Sequence, residues 1–128
     1  MNTNNLITKI KNINKNEICK KKRLIKLLSN LINDNEQIID IILGQQGAAI
    51  GGISVIVACT NKKIIICGTT TNNVISLDKL DSISGGKGIL HDQLMINSGK
   101  YQTHIMKIKK NQIDNFISKV SNAQSQIN

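Results

Sequence analysis

The chain has 128 residues, no proline, and 17 Lys and Arg against 8 Asp and Glu, a formal charge of +9. That length holds one domain and buries about two thirds of its unfolded surface, so no metal or disulfide is needed for folding. An apolar content of 40% excludes a wholly disordered chain. With Tyr101 and Phe116 as its two aromatic residues, it is poorly equipped to read single-stranded nucleic acid by stacking.

The charge is uneven. Residues 1–33 carry eight cations against Glu17, a balance of +7, and residues 100–128 carry five against Asp114, a balance of +4. The stretch between them has four cations and six acids, a balance of −2. Basic ends can draw a protein to nucleic acid, anionic lipid or an acidic partner, although a solvated helix face has the same composition.

Leu6, Ile10 and Ile13 predict a short, weak helix over residues 5–15. A stronger amphipathic helix is predicted over 17–33, where Leu24, Ile25, Leu28, Leu31 and Ile32 follow helical spacing. Asn16 is its expected cap, and Asn33-Asp34-Asn35 its end. Lys20, Lys21, Lys22, Arg23 and Lys26 cluster toward its start, against the helix dipole, and form the candidate binding patch.

Residues 41–61 contain no charge and could span a bilayer by length alone. Four glycines and Gln45-Gln46 interrupt them, so the stretch reads as two apolar strands. No transmembrane span or secretory leader is expected, and the default location is cytoplasmic.

From there the period changes to that of strands. Residues 36–44 and 53–60 are β-branched runs, and Thr60-Asn61-Lys62-Lys63 turns the second into the run 62–68. Val74-Ile75-Ser76-Leu77, the alternating residues 80–84, and runs at 89–96 and 101–108 follow. Gly85-Gly86-Lys87-Gly88 and Asn97-Ser98-Gly99-Lys100 are the expected turns. Ile113, Phe116, Ile117 and Val120 then form one helical stripe. About seven antiparallel strands and one closing helix predict a mainly β, α+β fold: a bent sheet or open barrel plugged by the helix.

Several segments carry a family likeness. Ala58-Cys59-Thr60-Asn61-Lys62-Lys63-Ile64-Ile65-Ile66 resembles the Thr-Asn hairpin of bacterial pleckstrin-homology-like (PH-like) domains of the YokE-like kind. Asn35-Glu36-Gln37-Ile38-Ile39 is similar to their acidic lead-in to the first strand, residues 74–83 to their following stretch, and residues 108–120 to their closing helix. Ile75-Ser76 lacks the usual proline, and Lys63 stands where arginine is common. The resemblance implies a PH-like domain over residues 34–124, preceded by a basic helical extension at 1–33. It also implies a non-catalytic module for protein interaction or oligomerisation.

Lipid-binding PH domains hold phosphates with a basic first loop. Here that loop, residues 44–52, has no cation, so a phosphoinositide is not expected. Its uncharged Ala48, Ala49 and Ile50 are instead a candidate self-association surface, giving a homo-oligomer.

No catalytic or cofactor-binding pattern emerges. His91 and Asp92 are adjacent in a predicted strand and so point to opposite faces. Cys19, Cys59 and Cys67 are odd in number and form no Cys-x-x-Cys pair, which fits reduced thiols rather than disulfides or a zinc site. Ser84-Gly85-Gly86-Lys87-Gly88 lacks the residues of a phosphate loop and reads as a turn. The alternative function is a binder of nucleic acid or an acidic protein through the basic N-terminal helix, including a small phage-type inhibitor of host machinery.

Overall fold

The computed structural model describes residues 1–47 and 52–127. Two helices come first, α1 (Thr3–Asn12) and α2 (Lys22–Ser29), joined through a 3-10 turn at Asn16–Lys20. Seven strands follow: β1 (Ile38–Gln46), β2 (Ile53–Thr60), β3 (Lys63–Gly68), β4 (Asn72–Ser76), β5 (Ser82–Lys87), β6 (Asp92–Ser98) and β7 (Tyr101–Ile108). The helix α3 (Ile113–Ser125) closes the chain. The expected mainly β, α+β architecture is present.

The strands form one antiparallel sheet in the order β4-β3-β2-β1-β7-β6-β5. Its two halves meet where β1 crosses β7, with one registered pair, Gln45↔Met106. Gly44 makes the crossing possible, because a Cβ there would collide with the Ile105 side chain and sit 3.0 Å from the Met106 carbonyl.

The apolar runs alternate between two cores. Val55, Val57 and Cys59 of β2 and Ile64 and Ile66 of β3 face the inside of the bend, where Ile113, Phe116 and Val120 of α3 pack. Ile56, Ala58, Ile65 and Cys67 face the other way, onto Leu6, Ile10, Leu24, Ile25 and Leu28 of the first two helices. Central strands covered on both faces have no polar side to show, which is why ISVIVA and IIIC read as unbroken apolar runs.

Several local expectations shift. The first helix is well formed: Asn2 Oδ1 accepts hydrogen bonds from the backbone N–H of Asn4 (2.7 Å) and Asn5 (3.4 Å), and Leu6 and Ile10 are wholly buried. The second predicted helix is split, because Lys21 (φ −82°, ψ 65°) leaves helical geometry, and Asn16 opens the 3-10 turn instead of capping a helix. Gly85, Gly86 and Lys87 lie within β5. There Gly85 makes room for α3, since a Cβ would come 2.6 Å from Ile113 Cδ1. The reversal therefore falls one step later, and Ile89 and Leu90, expected in a strand, sit at its exposed tip. Among the described residues no helix is long and apolar enough to cross a membrane.

Candidate functional site

The α2 helix buries Leu24, Ile25 and Leu28, which turns Lys22, Arg23 and Lys26 outward. Lys20 and Lys21, just before the helix, are exposed as well. Among the described residues none of these five cations has a salt bridge or a side-chain hydrogen bond. Lys15 and Lys119 share Asp40 (3.4 and 3.9 Å), Lys63 holds Glu36 (2.8 Å) and Lys110 holds Asp92 (3.2 Å). Among the described residues the lysine-bound acids thus pair with other lysines and leave these five cations uncompensated.

Lys21 also belongs to a cleft of about 540 Å³ between the 3-10 turn, the first strand and the segment after β7. Lys107, Lys109 and Lys110 also line it, together with the apolar Ile18, Leu43 and Leu90. Glu17 is the one acidic lining residue among those described. Lys20, Lys22, Arg23 and Lys26 lie outside it.

Two devices shape this cleft. Between Leu94↔Ile105 and Asp92↔Ile108, β7 carries an extra residue, a bulge in which Lys107 adopts φ 54°. The tip bearing Ile89 and Leu90 is tied down as Gly88 N–H donates to the His91 carbonyl (3.0 Å) and to Asp92 Oδ1 (3.3 Å). Lys110 bridges the Gly88 carbonyl and Asp92. Burial pushes the Asp92 carboxyl up, but Lys110 and the backbone N–H groups of Gly88 and Asn111 outweigh it and hold the group below its ordinary range. Ile89 and Leu90 are 94% and 79% exposed on this braced turn.

A second groove of about 460 Å³ runs between β4 and the β6–β7 turn. Val74, 47% exposed, and Tyr101, 80% exposed, stand along it.

Ala48, Ala49 and Ile50 lie outside the described residues. The strands that flank them are paired with each other as far as Gln46↔Ile53. His91 lies in the reversal before β6, not in a strand, and is exposed, while Asp92, the first residue of β6, is buried. His104 Nε2 lies 2.6 Å from Gln93 Oε1 on the exposed side of the sheet. Among the described residues no three His, Cys, Asp or Glu side chains converge on a point that could hold a metal ion. Lys107, Lys109 and Leu90 were not singled out by sequence. The basic C-terminal stretch was the available signal, but a bulge and a shifted turn decide where its charges point.

The family profile described as a bacterial PH domain matches residues 32–122. No curated protein matches the sequence. Among solved structures, the chain is similar to the hSac2 domain from the human phosphoinositide phosphatase Sac2, with a TM-score of 0.59 and 12% identity over 87% of this chain and 84% of that one. It is equally similar to the C-terminal domain of an unknown protein from Leishmania infantum, with a TM-score of 0.59 and 11% identity over 80% of this chain and 96% of that one. A duf1696 family protein with a pleckstrin-homology domain from Shewanella loihica matches with a TM-score of 0.50 and 14% identity over 80% and 95% of the two chains. At such identities these likenesses concern the fold alone. The bent seven-stranded sheet closed by α3 and the match over residues 32–122 have one meaning: this chain belongs to the bacterial PH domain family.

Proposed function

We propose that the protein is a non-catalytic interaction module that self-associates through the free edge of β4. The observation that carries this reading is the contrast between the two ends of the sheet. At one end β5 carries a charged residue, Lys87, paired with Asp114 at 2.7 Å, and Ile113 and Ile117 of α3 lie against its Gly85. At the other end β4 (NNVIS) has no charge, no proline and an exposed Val74, so the usual defences of an edge strand are missing. A second β4 laid antiparallel would continue the ladder and cover Val74. Light scattering across a concentration series tests it. The wild type is expected to be dimeric or larger, and Val74→Lys monomeric with an unchanged circular dichroism spectrum. A monomeric wild type at high concentration overturns it. The three free thiols, two of them buried, fit a reducing compartment such as the cytoplasm.

A second reading is favoured by the uncompensated cations at Lys20, Lys21, Lys22, Arg23 and Lys26: contact with an acidic partner, protein or nucleic acid. Retention on heparin as a function of salt tests it. Changing all five to Gln should flatten the salt slope by several units while leaving the melting temperature in place.

A further inference from the structure

We infer that the cleft bounded by Lys21, Lys107 and Lys109 receives an acidic, extended peptide segment of a partner protein, with one apolar side chain of that segment packed against Leu90. This rests on the cationic reading above, and moves its centre from the helix to the cleft.

Three observations converge. Charge comes first. Lys21, Lys107 and Lys109 line the cleft from two distant parts of the chain, among the described residues none of the three forms a salt bridge, and they outnumber Glu17, the one acid in the lining. Lys110 is engaged by Asp92 and counts toward the walls, not toward the free charge. The second observation is apolar lining: Ile18 and Leu43 line the cleft, and Leu90, also lining it, stands 79% exposed on a braced turn. A volume of about 540 Å³ falls within the usual range of ligand pockets and admits a few residues of extended chain. The third is backbone strain. Lys107 is held at φ 54°, a left-handed backbone that glycine adopts far more readily than lysine, and the bulge that holds it there places Lys107 among the lining of the cleft.

The mixture of cations and apolar wall selects the partner. A duplex phosphate backbone has nothing to place against Leu90. Unstacked bases would need aromatic rings, whereas Phe116 is wholly buried and Tyr101 lines the β4 groove. An acidic segment with a Leu or Ile anchor satisfies both the charge and the apolar surface.

The test is fluorescence anisotropy on the full chain with two labelled probes: a ten-residue Asp/Glu-rich peptide with one central Leu, and the same peptide with Ser in its place. The Leu peptide is expected to bind at low salt about tenfold more tightly than the Ser peptide. The Leu90→Ser variant should erase that tenfold difference. Lys107→Gly should weaken both peptides several-fold while its melting temperature holds or rises, since glycine relieves the left-handed backbone. That combination separates loss of a contact from loss of the fold. Equal binding of the two peptides to wild type overturns the cleft assignment and leaves a plain cationic patch. Absence of binding by both, together with no heparin retention, overturns the cleft and the cationic reading alike. Tighter binding to duplex DNA or to anionic vesicles than to the Leu peptide overturns it in favour of those partners.

Discussion

Lys63 Nζ stands 2.8 Å from Glu36 Oε1, and the Glu36 side chain is entirely buried. The pair ties the lead-in of β1 to the start of β3, and the backbone N–H of Asn33 also donates to Glu36 Oε1 at 3.1 Å. Glu36 Oε2 is a buried oxygen with no partner. This carboxylate is thus only partly satisfied and depends on the lysine. Truncation by Lys63→Ala would leave a buried charge unpaired, and is expected to cost about 3–5 kcal/mol in urea denaturation. A Glu36→Gln, Lys63→Met double variant should recover most of that loss. If Lys63→Ala melts like the wild type, the pair is not structural.

Acid should find the same weak point. Burial pushes the Glu36 carboxyl up, but hydrogen bonds and the Lys63 charge win and hold it below its ordinary 4.5. Asp92 is held below its ordinary 3.8 in the same sense by Lys110. A depressed carboxyl adds stability above its unfolded pKa and loses it as pH falls through the folded value. Stability should therefore be level above about pH 5 and decline below it. In Lys63→Ala, where burial of Glu36 is opposed only by its remaining hydrogen bonds, the decline should begin at higher pH. A pH series of thermal melts for both proteins checks the order.

The N-terminal helices share a core with the sheet, so they should count as much as α3. Phe116, with no exposed surface, is expected to cost about 3–5 kcal/mol as Phe116→Ala. Leu6, equally buried on the opposite face, is expected to cost about 2–5 kcal/mol as Leu6→Ala. Were Leu6→Ala neutral and Phe116→Ala costly, the helices would be an appendage. In that case a chain beginning at Asn33 should remain dispersed; otherwise it should aggregate through Ile56 and Ile65.

The thiols should separate cleanly under a disulfide reagent. Burial pushes the Cys59 thiol up to about 12, with the Asp40 carboxylate adding to the effect, and burial raises Cys67 in the same direction. Cys19 is half-buried in the 3-10 turn. One fast-reacting thiol per native chain is expected, and Cys19→Ser should abolish the fast phase. A fast phase that survives this substitution would place the reactive thiol in the sheet.

Much of this was legible because strand periodicity and turn chemistry are local. The Thr60-Asn61-Lys62-Lys63 hairpin could be read from four residues, and Thr60 Oγ1 accepts from both Lys62 N–H and Lys63 N–H at 3.1 Å. The stripe Ile113, Phe116 and Val120 likewise packs as its spacing requires. Three features were not local. The strength of α1 comes from burial against β1 and α2, which its polar composition conceals. The position of the reversal after β5 is set by α3, which needs the missing side chain of Gly85. The cleft joins Lys21 to Lys107 across most of the chain, and a bulge that no short window reveals aims the second of them.

Gly44 and the lone Gln45↔Met106 pair place a seam down the middle of the sheet. Across this seam a single registered pair joins β1 to β7, and α3 spans it, packing on β1 on one side and on β5 and β6 on the other. The protein should therefore breathe like a book whose binding is a helix. Amide exchange should be slowest in β2, at the centre of the first leaf, and fastest among strand amides at the fold line. A loosened α3 should release the leaf of β5 to β7 first, while β1 to β3, clasped between the N-terminal helices and each other, stays closed.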